Sequence, residues 1–358
     1  MSRLALIAAA TLMLLALAAR TRAVVDPHVD IGKVAGGCMA CHRGHGAPRS
    51  PMLPVAQVAL CLRCHGSASA LERRIADGDV AAGARPALLD GVLAQPWVHP
   101  LDRGAFSRDG TQGVTCTSCH APHRGLPAGR DAMASGRPYR STRDPGRLEY
   151  ELCQRCHGGA GSGTASLTDI SRLTSPSNRS YHPIEAPVMA TAPSVRAELA
   201  GREINCTDCH GNSDPGGPRG PHGSAVPFLL RARYATADGG PESAATYALC
   251  YDCHRRAAVL DGAFPEHRRH VVELRTSCAT CHNAHGSVRN AALIRFGEET
   301  VIGGVAPSLT SGRLAFVSDG PGSGACYLTC HGVDHAPATY GLALPGTAGT
   351  PVQPFDPP

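Results

Sequence analysis

The sequence has little of what an ordinary protein core is made of. Aromatic residues account for 4% of its 358 positions, Trp97 is the only tryptophan, and Lys33 is the only lysine. Glycine and proline are abundant, with 41 and 29 residues. A chain of this length that packed around side chains alone would need more large apolar ones. The composition therefore predicts that something other than side chains supplies the apolar bulk of the interior.

Long apolar segments are also missing, except near the N-terminus. An apolar run over residues 4–19 follows Arg3, and small residues lie after it. This order is typical of a secretory signal peptide, which we place at residues 1–23, with cleavage after Ala18 or Ala23. A retained membrane anchor is the alternative, but the run is short for a membrane span. Because no later run is longer, we expect no transmembrane segment in the mature chain.

Every cysteine of the chain belongs to one recurring motif. All 16 cysteines form eight pairs, and each pair runs directly into a histidine. Two residues separate the cysteines in seven pairs, and three residues separate them in the eighth. The eight motifs are Cys38-Cys41-His42, Cys61-Cys64-His65, Cys116-Cys119-His120, Cys153-Cys156-His157, Cys206-Cys209-His210, Cys250-Cys253-His254, Cys278-Cys281-His282 and Cys326-Cys330-His331.

The spacing C-x-x-C-H is the attachment sequence of c-type haem. Its two thiols bond to the haem, and the adjacent imidazole binds the iron as the proximal ligand. Zinc sites also use paired cysteines, but their histidines stand at variable distances from the pair. Disulfides would not require a histidine after every pair. We therefore predict eight covalently bound c-type haems, with the eight motif histidines as proximal ligands, in an exported protein.

Eight haems would supply the apolar bulk that the side chains lack. We therefore predict a mostly irregular chain with short α-helices, wrapped around a closely packed row of haems. The formal net charge of the chain is +5, but each haem adds two propionates, so the holoprotein would be acidic. Nothing in this balance favours nucleic-acid binding, and the abundant arginines suit pairing with propionates.

The motifs follow one another in pairs, which predicts an internal repeat. The first motif of a pair has histidines near it that belong to no motif. The second motif follows a short apolar segment, such as Ala248-Leu249 before Cys250. We place four dihaem modules at residues 24–75, 95–160, 180–260 and 264–335, and a flexible tail at 336–358. Local patterns predict a helix over 241–260, shorter helices over 71–75 and 147–153, and a strand over 313–317.

Ten histidines lie outside the motifs, enough to give each iron a second axial ligand. Their repeated placement before and after the first motif of each pair favours ligation over an ordinary surface role. His267 competes with His270, three residues away, and His335 is either a ligand or a neighbour of the last haem. The best distal candidates are His28, His45, His99, His123, His182, His222, His270 and His285.

Three of these histidines stand too close to a motif to share its iron. His45 lies three residues beyond His42, which holds one face of its own haem. So short a segment cannot pass around the porphyrin to the opposite face. We therefore expect His45 to bind the iron of a neighbouring haem, and the same reasoning applies to His123 and His285. Each of them would hold two haems close together.

Taken together, these features resemble the doubled C-x-x-C-H multihaem cytochromes c of bacterial respiratory chains, over residues 28–335. The resemblance implies electron transfer in the periplasm or at the cell surface. It also implies redox-partner proteins, namely other cytochromes, outer-membrane conduit components or a terminal acceptor. The likeness rests on the paired motifs, on His45-Gly46 and His285-Gly286 after them, on His99-Pro100 and His182-Pro183, and on the terminal segment 324–332.

We predict an electron carrier without substrate chemistry of its own. The alternative is a reductase of a nitrogen or sulfur oxyanion, which needs one iron with an open position. Some such enzymes carry lysine in place of a motif histidine, but Lys33 lies in no motif. The haem at Cys326 and Cys330, with its longer spacing, would be the first candidate for an open iron. Self-assembly into a filament, or docking in an outer-membrane complex, stays open.

Overall fold

The computed structural model describes most of the chain between residues 27 and 341. The described ranges are 27–45, 52–101, 114–120, 122, 149–159, 168–189, 192–262, 264–298, 304–320 and 322–341. The predicted signal peptide and His123 lie outside them. The chain divides into two compact units, one formed by Met1–Glu149 with Gly211–Leu229 and the other by Tyr150–His210 with Leu230–Pro358. The four predicted modules stay a prediction.

Short helices and small sheets alternate along the described residues, which makes the fold mixed rather than purely irregular. The α-helices are α1 (Gln57–His65), α2 (Ala68–Ala76), α3 (Asp90–Leu93), α4 (Cys116–Cys119), α5 (Glu149–His157), α6 (Ile170–Thr174), α7 (Ala248–Tyr251), α8 (Arg256–Leu260) and α9 (Cys278–Cys281). A π-helix covers Arg268–Glu273. One-turn 3₁₀-helices cover Gly37–Ala40, Ala197–Leu199, Cys206–Asp208, Pro227–Leu229 and Ala291–Leu293.

The helices largely follow local sequence signals. The helix predicted over 71–75 lies inside α2, which begins after Ser67, whose hydroxyl accepts the N–H of Ala70 at 3.1 Å. Serine is a preferred residue at this position because it satisfies an orphan N–H group. The helix predicted over 147–153 overlaps α5. None of the helices among the described residues has the length and apolar character needed to cross a membrane.

The single helix predicted over 241–260 is wrong. The structure has two short helices there, α7 and α8, with Cys253 and His254 between them. The backbone of His254 leaves the helical path to form a β-bridge with Val195. The haem motif therefore interrupts the helix that the local propensities favour.

Two small sheets repeat the same design. Strand β1 (Trp97–Val98) pairs antiparallel with β3 (Gly223–Ser224), and β2 (Ser180–Tyr181) pairs antiparallel with β4 (Gly286–Ser287). In each pair, a histidine outside the motifs directly follows the first strand, and another directly precedes the second. Each sheet therefore joins two histidines that are more than 100 residues apart in sequence.

A larger sheet is built around the last motif. Its strands are β5 (Val305–Ala306), β6 (Ala315–Gly320), β7 (Ser323–Cys330) and β8 (Val333–Tyr340), and β7 pairs antiparallel with the other three. The strand predicted over 313–317 overlaps β6. Strand β8 also corrects the start of the predicted tail, because this strand extends to Tyr340 and residues 338–340 pair with β7.

The described core packs against motif cysteines. In the second unit, Tyr247, Tyr251, Leu260 and Val271 are buried together, with Cys250 and Cys278 against them. A second cluster of Ile294, Phe296 and Leu328 packs against Cys281, Cys326 and Cys330. Both clusters are small, and they surround the cysteines to which haem is expected to attach.

Candidate haem-binding sites

Tight helical turns present the cysteines of three first motifs of the repeat. Cys116–Cys119 and Cys278–Cys281 are one-turn α-helices, and Cys206 begins a 3₁₀-turn. Thr115 with Ser118, and Asn205 with Asp208, form capping boxes at two of these turns. Such reciprocal bonds satisfy the first N–H groups of a helix and fix its start. The two thiols of a pair therefore emerge on one side of a rigid turn.

Among the residues that the structure describes, six pairs of histidine rings face one another. The distances between ring centroids are 5.9 Å for His28 and His65, 5.9 Å for His120 and His222, 6.3 Å for His182 and His254, 6.2 Å for His210 and His285, 6.1 Å for His267 and His282, and 6.4 Å for His270 and His335. Five pairs join one motif histidine to one free histidine. The sixth joins two free histidines.

These separations fit an iron between each pair of rings. A metal–imidazole bond is about 2.0 Å long, and the ring centre lies roughly 1.1 Å behind the bonded nitrogen. Two imidazoles on opposite sides of one metal would therefore have centroids about 6.2 Å apart. All six observed distances fall within a few tenths of an ångström of this value. Ordinary aromatic pairs also span about 4.5–7 Å, as Phe264 and His270 do at 6.5 Å, so the sign of a metal site is the repeated pairing of a motif histidine with a second histidine.

Several of these rings are held through Nδ1, which leaves the other nitrogen, Nε2, as the one available to a metal. The Nδ1–H groups of His65, His267 and His282 donate to the carbonyl oxygens of Ala87, Val259 and Ala292 at 3.0, 2.8 and 2.8 Å. A hydrogen bond of this kind from the second ring nitrogen is the usual support of a metal-bound histidine. The same support is present at His99, His182 and His270, whose carbonyl partners are Pro221, Ala284 and Glu266.

The two small sheets build the same site twice. His99 follows β1 and its Nδ1 bonds to the carbonyl beside His222, while His182 follows β2 and its Nδ1 bonds to the carbonyl beside His285. Gly223 and Gly286 both allow a close approach, since an added Cβ would lie 1.9 Å from a carbonyl oxygen at each position. The repeat that the motif spacing indicated thus extends to the free histidines.

Burial favours the neutral form of several of these imidazoles, which is the form that binds a metal. Burial, together with the facing imidazole, lowers the pKa of His254, His282 and His285 to about 4. Burial also raises the pKa of the Cys209 and Cys250 thiols to about 12. Such apolar surroundings suit thioether sulfur and disfavour the thiolates of a zinc site.

The last motif is built differently. Cys326 and Cys330 lie on strand β7, and His331 occupies the turn that follows. The Nε2 of His331 lies 3.0 Å from Oδ2 of Asp238, and 56% of the His331 side chain is exposed. His335, four residues later, instead faces His270 across 6.4 Å. Asp238 carries no signal in the sequence that would mark it as part of this site.

The remaining candidate ligands differ in their exposure. His42, His99 and His157 are half-buried, and His45 is exposed. His267 and His270, which the sequence leaves as competitors, face two different partners. His285 faces His210, whereas the nearby motif histidine His282 faces His267.

Comparison with known proteins gives two family matches. A family model described as outer membrane cytochrome MtrC/MtrF-like, domains II/IV, matches residues 114–293. A second model, described as the doubled CXXCH motif, matches residues 32–70. No curated protein and no solved structure matches the chain.

Proposed function

The chain belongs to the MtrC/MtrF-like outer membrane cytochrome family, and from this premise we propose that it is an electron-transfer protein with eight c-type haems. The resemblance to multihaem cytochromes with doubled motifs is confirmed by both family matches. The motifs indicate covalently bound c-type haem. The observation that carries the proposal is the set of histidine pairs, five of which join a motif histidine to a second histidine at a separation that fits one shared iron.

Five of the irons would each have one motif histidine and one free histidine as axial ligands. When bound, c-type haem supplies a one-electron couple between ferric and ferrous iron. The role of the protein would be to hold two imidazoles within reach of each iron, and backbone carbonyls fix the Nδ1 atoms of His65, His182, His267 and His282. The proposed pairs are His65 with His28, His120 with His222, His210 with His285, His254 with His182, and His282 with His267.

Two imidazoles on one iron leave no position for a substrate. This saturation favours electron transfer over reduction of an oxyanion, which needs an open iron. Bis-histidine ligation also gives lower potentials than histidine–methionine ligation. The protein would therefore accept and donate electrons at low potential without turning over a substrate.

Short segments that hold two haem sites would keep the irons close together. His182 and His285 flank one four-residue sheet, yet they face the motif histidines of two different sites, His254 and His210. His267 and His270 are three residues apart and also face different partners. Electron exchange depends on such proximity, so this sharing of short segments supports conduction along the chain.

The proposed setting is the outside of the cytoplasmic membrane. The family description places its members at the outer membrane, and the N-terminal sequence predicts export. We therefore infer a location in the periplasm or at the cell surface of a bacterium. The redox partners would be other cytochromes, including components of an outer-membrane conduit, or a terminal acceptor.

Haem counting and ferric spectroscopy test this function together. Denaturing mass spectrometry is expected to show the chain with eight attached haems, because all 16 cysteines lie in attachment motifs. The ferric protein is expected to be entirely low-spin by electron paramagnetic resonance (EPR), and slow to bind cyanide, nitrite or carbon monoxide, because we propose two protein ligands for every iron.

Two results would contradict the proposal. A haem count below eight would remove the octahaem assignment. Rapid binding of nitrite or cyanide to one haem, with steady reduction of nitrite, hydroxylamine or a sulfur oxyanion at an enzyme-like rate, would replace electron transfer with the reductase alternative.

A further inference from the structure

We propose that the haem attached at Cys326 and Cys330 is bound by His335 and His270, and that the motif histidine His331 does not bind its iron. This inference rests on the proposed function, since it assumes covalent haem at every motif. It assigns the last haem a ligand set that differs from the one its sequence motif predicts.

The first argument is the face of the sheet on which each side chain lies. Successive residues of a strand point to opposite faces, so Cys326, Leu328 and Cys330 of β7 share one face. His335 of β8 pairs directly with Leu328, which places its ring on the same face as the two cysteines. Thr329 and Asp334 confirm the alternation, because the Thr329 hydroxyl donates to Asp334 at 2.7 Å on the other face.

The second argument is the turn that holds His331. Cys330 pairs with Val333, which leaves His331 and Gly332 as a two-residue hairpin loop. Both residues are left-handed, with φ of 48° and 81°, as a tight type I′ turn requires. At the one-turn helices of the other motifs, by contrast, the histidine leaves the turn with extended backbone, at φ of −108° for His120 and −110° for His282.

The third argument is the nitrogen that His331 has available. Its Nε2 bonds to Asp238, whose other carboxylate oxygen accepts the Ser277 N–H at 2.7 Å and the Thr280 hydroxyl at 2.6 Å. Asp238 is therefore fixed against helix α9 and holds His331 at the surface. Three ligand-like histidines of this unit, His267, His270 and His282, instead use Nδ1 for such a bond.

The fourth argument is the geometry of the alternative pair. The rings of His270 and His335 are 6.4 Å apart, which matches the five pairs that contain a motif histidine. His270 donates from Nδ1 to the carbonyl of Glu266, in the turn just before its π-helix. Phe264 packs edge-on against Tyr340 at 4.6 Å and lies beside the His270 ring. This contact joins strand β8 to the π-helix, so both rings are held in place.

The deciding experiment changes the two proposed ligands and leaves His331 intact. In the His335→Ala protein we expect eight attached haems by mass spectrometry, one of which becomes high-spin in the ferric EPR spectrum and binds cyanide. His270→Ala is expected to give the same signal. In the double variant one haem, and not two, is expected to become high-spin, because both rings would bind the same iron. Single variants that stay entirely low-spin, or a double variant with two high-spin haems, would overturn the assignment.

His331→Gln is the matched control. Every haem that this variant carries is expected to remain low-spin, whereas a high-spin haem at a count of eight would make His331 a ligand and reject the inference. Failure of the proposed function is distinguishable, because it would appear in the unaltered protein as a low haem count or a high-spin iron. Failure of this inference alone would leave the unaltered protein low-spin throughout.

Discussion

The Gly286→Ala protein is expected to lose about 3 kcal/mol of its free energy of unfolding, the upper part of the usual range for overpacking. A Cβ at this position would lie 1.9 Å from the carbonyl oxygen of Leu173 and 3.1 Å from that of Ser180. Both obstacles are backbone atoms, which cannot rotate away as a flexible side chain would. Strand β4 would have to move, and the adjacent His285 would move with it.

Denaturant unfolding and ferric EPR check this expectation together. Displacement of His285 from His210 should make one haem partly high-spin, in addition to the lower stability. Gly91→Ala is the control, because Gly91 lies in helix α3 with no atom within 4 Å of the added Cβ. There alanine should be neutral or slightly stabilising. Equal stability of the two variants would show that the close approach at Gly286 is not required.

Glu242→Ala is expected to cost about 3 kcal/mol, because it removes a carboxylate that satisfies charged and polar partners. The Glu242 side chain is 1% exposed and pairs with the Arg256 guanidinium through both oxygens. It also accepts the Tyr251 hydroxyl at 2.9 Å. Glu242 therefore ties helix α7 to helix α8 across the motif at Cys253 and His254, and its loss should loosen that motif.

The pH dependence of stability gives a second readout at the same residue. The hydrogen bonds from Arg256, and then from Tyr251, hold the pKa of Glu242 below its ordinary value. A depressed pKa means that this stabilisation is present above about pH 4.3, the ordinary value for glutamate, and is lost as the pH falls through the lower folded value. The free energy of unfolding, measured between pH 6 and pH 3, should therefore fall less steeply in Glu242→Gln than in the unaltered protein. Parallel curves for the two proteins would contradict this assignment.

The covalent sites could be read from the sequence because their chemistry is local. Two thiols and one imidazole within five residues define an attachment motif, and the fold is not needed to recognise it. The facing histidines could not be read in this way. His182 meets His254, and His285 meets His210, only because Ser180 pairs with Ser287 in a sheet of four residues. Such a short pairing leaves no hydrophobic pattern in the sequence.

Two local features explain where the sequence was least informative. His267 and His270 seemed to compete because residues three apart share one face of an α-helix. The segment is instead a π-helix, whose wider turn directs them to different partners. At the last motif, strand β7 replaces the helical turn of the others. The longer cysteine spacing marked this motif as unusual, but the strand that carries it was not predicted.

The facing histidines also bear on how so small an apolar core is stabilised. An iron shared by two imidazoles would close a loop in the chain, as a disulfide does, and would lower the conformational entropy of the unfolded state. His120 and His222 would close a loop of about 100 residues, and each doubling of loop length adds roughly 0.6 kcal/mol to this effect. Several of these loops would overlap in sequence, since the loop between His182 and His254 crosses the loop between His210 and His285. The stability of the protein would then depend more on the lengths of the loops that its histidine–iron bonds close than on the apolar area that its side chains bury.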